Sequence, residues 1–142
     1  MPGSLCLHEG VLWVGVHEKT AHVSAFDLDG RALGPGFSFR DPERPRSAVA
    51  GLAIDADHRL WVADTPGHCL RAFNLFGKEL ERIACSAGPE ADLRGQPAEP
   101  VDVALCELGG EVCLAVASGG ERRHALQLLQ PGTLSAPPLV IR

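Results

Sequence analysis

The chain has 142 residues, with 13 Lys+Arg against 18 Asp+Glu, a formal charge of −5, 16 glycines and 11 prolines. So many chain breakers exclude long helices, and the length allows one domain with a true core and no second. Non-specific nucleic-acid affinity comes from Lys and Arg neutralising phosphates, so at this charge nucleic acid is not an expected partner.

No apolar run approaches the ~20 residues that span a bilayer. The opening MPGSLCLHEG lacks the basic start and apolar stretch of a secretory signal, so a cytoplasmic chain away from membranes is expected. Cys6, Cys69, Cys85, Cys106 and Cys113 are odd in number and form no CxxC pair, so they read as reduced core thiols. Cys106 and Cys113 face each other across CELGGEVC if Gly109-Gly110 make a two-residue turn. That register is a hydrogen-bonded pair, whose wider spacing suits a disulfide poorly.

The predicted elements repeat in chain order. The first unit has the apolar pair Leu5/Leu7, the turn HEG, the β-prone run VLWVGV, a third run HVSAFDL, a turn at Asp29-Gly30, and RALGPGFSFR. After the connector DPERPRSAVA the second unit shows Leu52/Ile54, DADHR, LWVAD, CLRAFNL, Phe76-Gly77 and KELERIA. After SAGPEADLRGQPAEP the third shows Val103/Leu105, ELGGE, VCLAVA, HALQLL, Pro131-Gly132 and TLSAPPLVIR. Trp13, Trp61 and Cys113 align in this reading, as do Phe26, Phe73 and Leu128, with repeat lengths of 47 and 51 residues.

Four short strands recurring at such a period, with tight turns and no helical pattern, are the signature of propeller blades. A β-sandwich also uses short strands, but the three-fold register argues against it. The expected fold is therefore all-β: a single partial propeller domain over 1–142, with blades at about 4–40, 51–85 and 101–142.

The stretch GLAIDADHRLWVADTPGHCLRAFNLFGKEL closely resembles an NHL repeat. Asp55, Ala63-Asp64, Gly67-His68, Phe73 and Gly77-Lys78 fall on that family's pattern. The third unit keeps the preceding Pro100 but has Val116-Ala117 in place of Ala-Asp, and the first keeps Leu12-Trp13-Val14 and Phe26 to Gly30. The resemblance implies a β-propeller; the motif residues themselves read as builders of strands and turns. Asp64 ends a buried run and can accept backbone N–H groups in the following turn, and His68 sits in a tight Pro-Gly-His loop.

NHL-type propellers are similar in architecture to lactonases of the regucalcin type, which hold a divalent cation at the channel mouth. The groups here that fall near innermost strands are His8, Glu9, Asp55, Asp57, Glu99 and Asp102, of which Glu9, Asp55 and Asp102 are the metal candidates. They do not reproduce that family's Glu, Asn, Asp set, so no metal and no cofactor are expected. His22, Cys69 and His124 share a place before the third strand, yet equal places in neighbouring blades diverge from the axis. No serine lies in a Gly-x-Ser-x-Gly elbow, and Gly119-Gly120 lacks a P-loop Lys-Ser/Thr. Arg40, Arg44 and Arg46 are interleaved with Asp41 and Glu43, and Glu90, Asp92 and Glu99 fill the second connector, as in solvated loops.

The expected function is a non-catalytic scaffold that binds a protein or small ligand. The alternative is a metal-dependent sugar-lactone hydrolase or lyase with its site at the channel mouth. Three blades do not close alone, and the chain runs from an innermost strand to an outermost one, so the expected partner is a second copy completing a six-bladed homodimer, the alternatives being a piece of a longer propeller or a nine-bladed or open assembly.

Overall fold

Runs rich in Val, Leu, Ile, Trp and Phe, bounded by Gly, Asp and Asn turns, form twelve strands among the described residues of the computed structural model. It describes residues 2–17, 20–40, 46–85, 99–119, 125–130 and 139–141, and the side chains of 17, 125 and 139–141 are outside that description. The strands are β1 (Pro2–His8), β2 (Val11–His17), β3 (Ala21–Phe26), β4 (Phe37–Phe39), β5 (Gly51–Ile54), β6 (Leu60–Asp64), β7 (Cys69–Phe73), β8 (Glu79–Ala84), β9 (Glu99–Leu108), β10 (Glu111–Gly119), β11 (Ala125–Leu129) and β12 (Leu139–Ile141). No helix long and apolar enough to cross a membrane occurs among the described residues.

Each set of four consecutive strands makes one antiparallel meander, giving three four-stranded sheets. The sheets stack with their first strands side by side, β1 against β5 and β5 against β9. Close approach depends on Gly15, where a Cβ would collide with Val49, and on Gly51, where it would collide with Asp102 and the Val103 backbone.

Two apolar layers separate the three sheets. Trp13, Val23, Phe39, Leu52, Ile54, Leu60, Val62 and Phe73 fill the first, while Trp61, Ala63, Leu70, Ala72, Val103, Leu114 and Val116 fill the second. The alternation of side chains sends Leu60 and Val62 one way and Trp61 and Ala63 the other. Every residue of β5, β6 and β7 is therefore buried, unlike β1 with its alternating exposure.

The pairing corrects the repeat alignment in the third sheet. Trp13 pairs with Cys6 and Trp61 with Ala53, and the residue in the equivalent place is Ala115, paired with Ala104. Cys113 lies two residues earlier because the β9–β10 hairpin is longer; it pairs with Cys106, and both thiols are free. Likewise Phe26 pairs with Leu12 and Phe73 with Leu60, so Leu129, paired with Leu114, holds the place assigned to Leu128. Opposite Val16, Asp64 and Ser118 stand His22, Cys69 and Ala125, and His124 lies outside the described residues.

Candidate functional site

Three turns share one construction. Asp27 Oδ1 accepts the N–H groups of Asp29 and Arg31 at 3.0 and 2.8 Å, and Asn74 Oδ1 those of Phe76 and Lys78 at 3.0 and 2.9 Å. Asp55 Oδ1 does the same for Asp57 and Arg59, both at 3.0 Å. The fourth residue of each turn is left-handed: Gly30 at φ 82°, Gly77 at φ 90° and His58 at φ 57°. Glycine takes that conformation freely; histidine does so at a cost of roughly 1 kcal/mol or more.

Asp55, one of the three carboxylates weighed as metal ligands, is committed elsewhere. Its Oδ2 accepts Arg59 Nε–H at 2.8 Å and the buried Trp61 Nε1–H at 2.9 Å. Burial alone would raise its pKa, but these hydrogen bonds and the Arg59 charge lower it below the usual carboxylate value. Asp102 accepts the Val103 N–H at 2.9 Å.

Asp64 organises the seam between the first two sheets. Its Oδ1 accepts Ala48 N–H at 3.0 Å and Gly67 N–H at 3.1 Å, while Oδ2 faces Arg71 Nη1 at 3.5 Å. The Arg71 guanidinium lies 4.6 and 5.2 Å from the ring centres of Phe39 and Phe73 and also pairs with Glu79. A Cβ on Gly67 would lie 2.5 Å from Asp64 Oδ2, so the loop requires glycine there. His68 closes this turn at φ 49° with its N–H on Thr65 O, and Gly77 lies where a Cβ would meet the Phe37 ring.

Three of the thiols, Cys6, Cys69 and Cys85, are held away from the thiolate form. Burial pushes Cys85 to about 12 and Cys69 to about 11, the latter helped by Asp64, and burial also raises Cys6. His22 Nδ1 is bonded to Ser38 Oγ at 2.8 Å within its own sheet. Arg40 and Arg46 are exposed, whereas Arg44, Glu90 and Asp92 lie outside the described residues.

One group of three potential metal ligands converges among the described residues: His8, Glu9 and His58, whose donor atoms lie within 4.8 Å of one another. His8 ends β1, Glu9 starts the β1–β2 turn, and His58 sits in the β5–β6 turn, so the group spans the seam of sheets 1 and 2. His8 Nε2 is 3.1 Å from His58 Nδ1 and 4.0 Å from Glu9 Oε2. The rings meet edge to face at 5.3 Å and 82°. Sequence reasoning reached His8 and Glu9 but missed His58; the available signal was a histidine at the place where DLDGR and NLFGK carry glycine.

The outward faces of the stack form the other candidate site. Leu5 pairs with Val14 and Leu52 with Val62, so the two leucines hold equivalent places, as do Leu7 and Ile54. Leu52 and Ile54 are 5% and 4% exposed, yet Leu5 and Leu7 are each 63% exposed. In the third sheet Leu126 and Leu108 also face solvent.

No family model matches the chain, and no curated protein matches it in sequence. Among solved structures it is similar to selenomethionine-substituted virginiamycin B lyase from Staphylococcus aureus, a β-propeller, at 12% identity and a TM-score of 0.51. The match covers 99% of this chain and 55% of that one, so the chain spans about half the neighbour's length. The likeness and the three stacked meanders establish an all-β fold of the propeller type.

Proposed function

We propose that the chain is a non-catalytic propeller scaffold of NHL-like blades that binds a protein or small ligand, and that it completes its ring by pairing with a second copy. The observation that carries this reading is the exposure of Leu5 and Leu7 where Leu52 and Ile54 are buried. Each blade of the stack receives the next against its face, and the open faces are built from the same repeat as the closed ones. The in-sheet polar groups Asp55, Asp64, Arg71 and Glu79 are occupied with structural partners, which favours a scaffold.

Light scattering on the 15.0 kDa chain tests the pairing: a mass of about 30 kDa, reduced to the single chain by Leu7→Glu, is expected. A stable, well-folded single chain at all concentrations would overturn it. The competing reading, a metal-dependent sugar-lactone hydrolase or lyase, is favoured by the neighbour's own description as a lyase. Turnover of a lactone panel with added divalent cation would replace the scaffold reading.

A further inference from the structure

We propose that His8, Glu9 and His58 bind a divalent transition-metal ion of the zinc class, clasping the first hairpins of sheets 1 and 2. Two imidazoles and one carboxylate are a donor set that suits zinc and its neighbours, whereas calcium and magnesium prefer oxygen alone. A tetrahedral ion about 2.0–2.1 Å from each nitrogen holds two nitrogens roughly 3.3 Å apart. His8 Nε2 and His58 Nδ1 already stand at 3.1 Å, so the pair need open only slightly. At that distance one imidazole donates an N–H and the other accepts it. An ion takes one lone pair from each ring, and the donating imidazole changes tautomer so that its proton sits on the nitrogen facing away from the ion. Glu9 is 71% exposed at its side chain and free to swing its carboxylate in from 4.0 Å.

The backbone makes the placement more telling. Glu9 and Gly10 form the β1–β2 turn with φ 49° and 77°, and Gly109 and Gly110 form the equivalent β9–β10 turn with φ 61° and 85°. Glu9 thus stands where the sister hairpin has glycine, and His58 stands where the sister turns have Gly30 and Gly77. Two residues with metal-ligand side chains occupy left-handed positions in adjacent turns, and both converge on His8. The site is independent of the ring pairing.

Zinc titration of the untagged chain by calorimetry, with cobalt as a spectroscopic probe, tests the site. One ion per chain with micromolar or tighter affinity is expected, unaffected by excess calcium. His58→Gly restores the turn's usual residue, so the variant folds at least as well; it and His8→Ala should each weaken zinc at least about tenfold. The cobalt adduct should show weak visible bands without the intense near-ultraviolet absorption of thiolate ligation. Absence of stoichiometric binding, thiolate absorption, or undiminished affinity in a folded His58→Gly variant would each overturn the proposal.

Discussion

Leu5 and Leu52 offer a paired test of whether the outer face of the first sheet is covered in solution. They occupy equivalent places, but one is 5% exposed and the other 63%. Leu52 lies in the apolar layer between the first two sheets, beside Val49 and Gly15, where truncation leaves a cavity. Leu52→Ala should therefore cost ~3 kcal/mol, within the usual range for buried leucines. Full burial of a leucine is worth ~2 kcal/mol, so Leu5, with about a third of its surface covered, contributes ~0.7 kcal/mol in a chain whose face stays open. If a second copy packs on that face, the cost of Leu5→Ala should rise toward that of Leu52→Ala. Urea unfolding at two protein concentrations a hundredfold apart reads both effects, because mass action should add ~2.7 kcal/mol per dimer, about half that per chain, to a paired wild type over that span. A Leu5→Ala cost below about 1 kcal/mol, with concentration-independent wild-type unfolding, would refute the pairing.

Three further outcomes are expected. Without metal, His58→Gly should raise the melting temperature by a few degrees, since relief of the left-handed strain outweighs the ~0.5–1 kcal/mol entropy cost of glycine. Asp55→Asn should cost about 2 kcal/mol near neutral pH through the charge-assisted bonds to Arg59 and Trp61. Because the folded-state pKa of Asp55 is depressed below 3.8, its contribution is present above that value and lost as pH falls through the folded pKa; the variant should show a flatter acid limb in pH-dependent denaturation. Gly67→Ala should destabilise by about 1–3 kcal/mol in thermal melts, because its Cβ would displace the Asp64 carboxylate that caps the turn and faces Arg71.

Much of the architecture was legible because local and global signals agree. The turns at Gly30, Gly77 and Gly109-Gly110 fall where the β-prone runs stop, and the spacing from Leu5 to Leu52 to Val103 gives the order of the strands. The register of the third sheet was not legible. A two-residue shift keeps every side chain on its proper face, so aligning Cys113 with the tryptophans satisfied the alternation even though Ala115 holds the place. Leu128 and Leu129 are the same residue type, which hides a one-residue slip. The His8–His58 contact is a long-range consequence of stacking β1 on β5, and neither turn alone announces it. The exposed Leu5 and the buried Leu52 look alike in sequence because the repeat specifies a surface able to pack, and the neighbour decides whether it does.

The doubly buried second sheet makes the energetics of opening uneven along the chain. Amide hydrogens of β6 and β7 can meet solvent only after both apolar layers separate, whereas those of β1 or β10 require the loss of one. Deuterium uptake should thus proceed inward from the outer sheets, with Leu60–Asp64 and Cys69–Phe73 exchanging last. Arg71, gripped by Asp64 and Glu79 and stacked on Phe39 and Phe73, adds a lock at the first of those seams. A force or denaturant that peels the first sheet away would expose that guanidinium and its carboxylates together. Separation at this seam should consequently be abrupt and sensitive to salt.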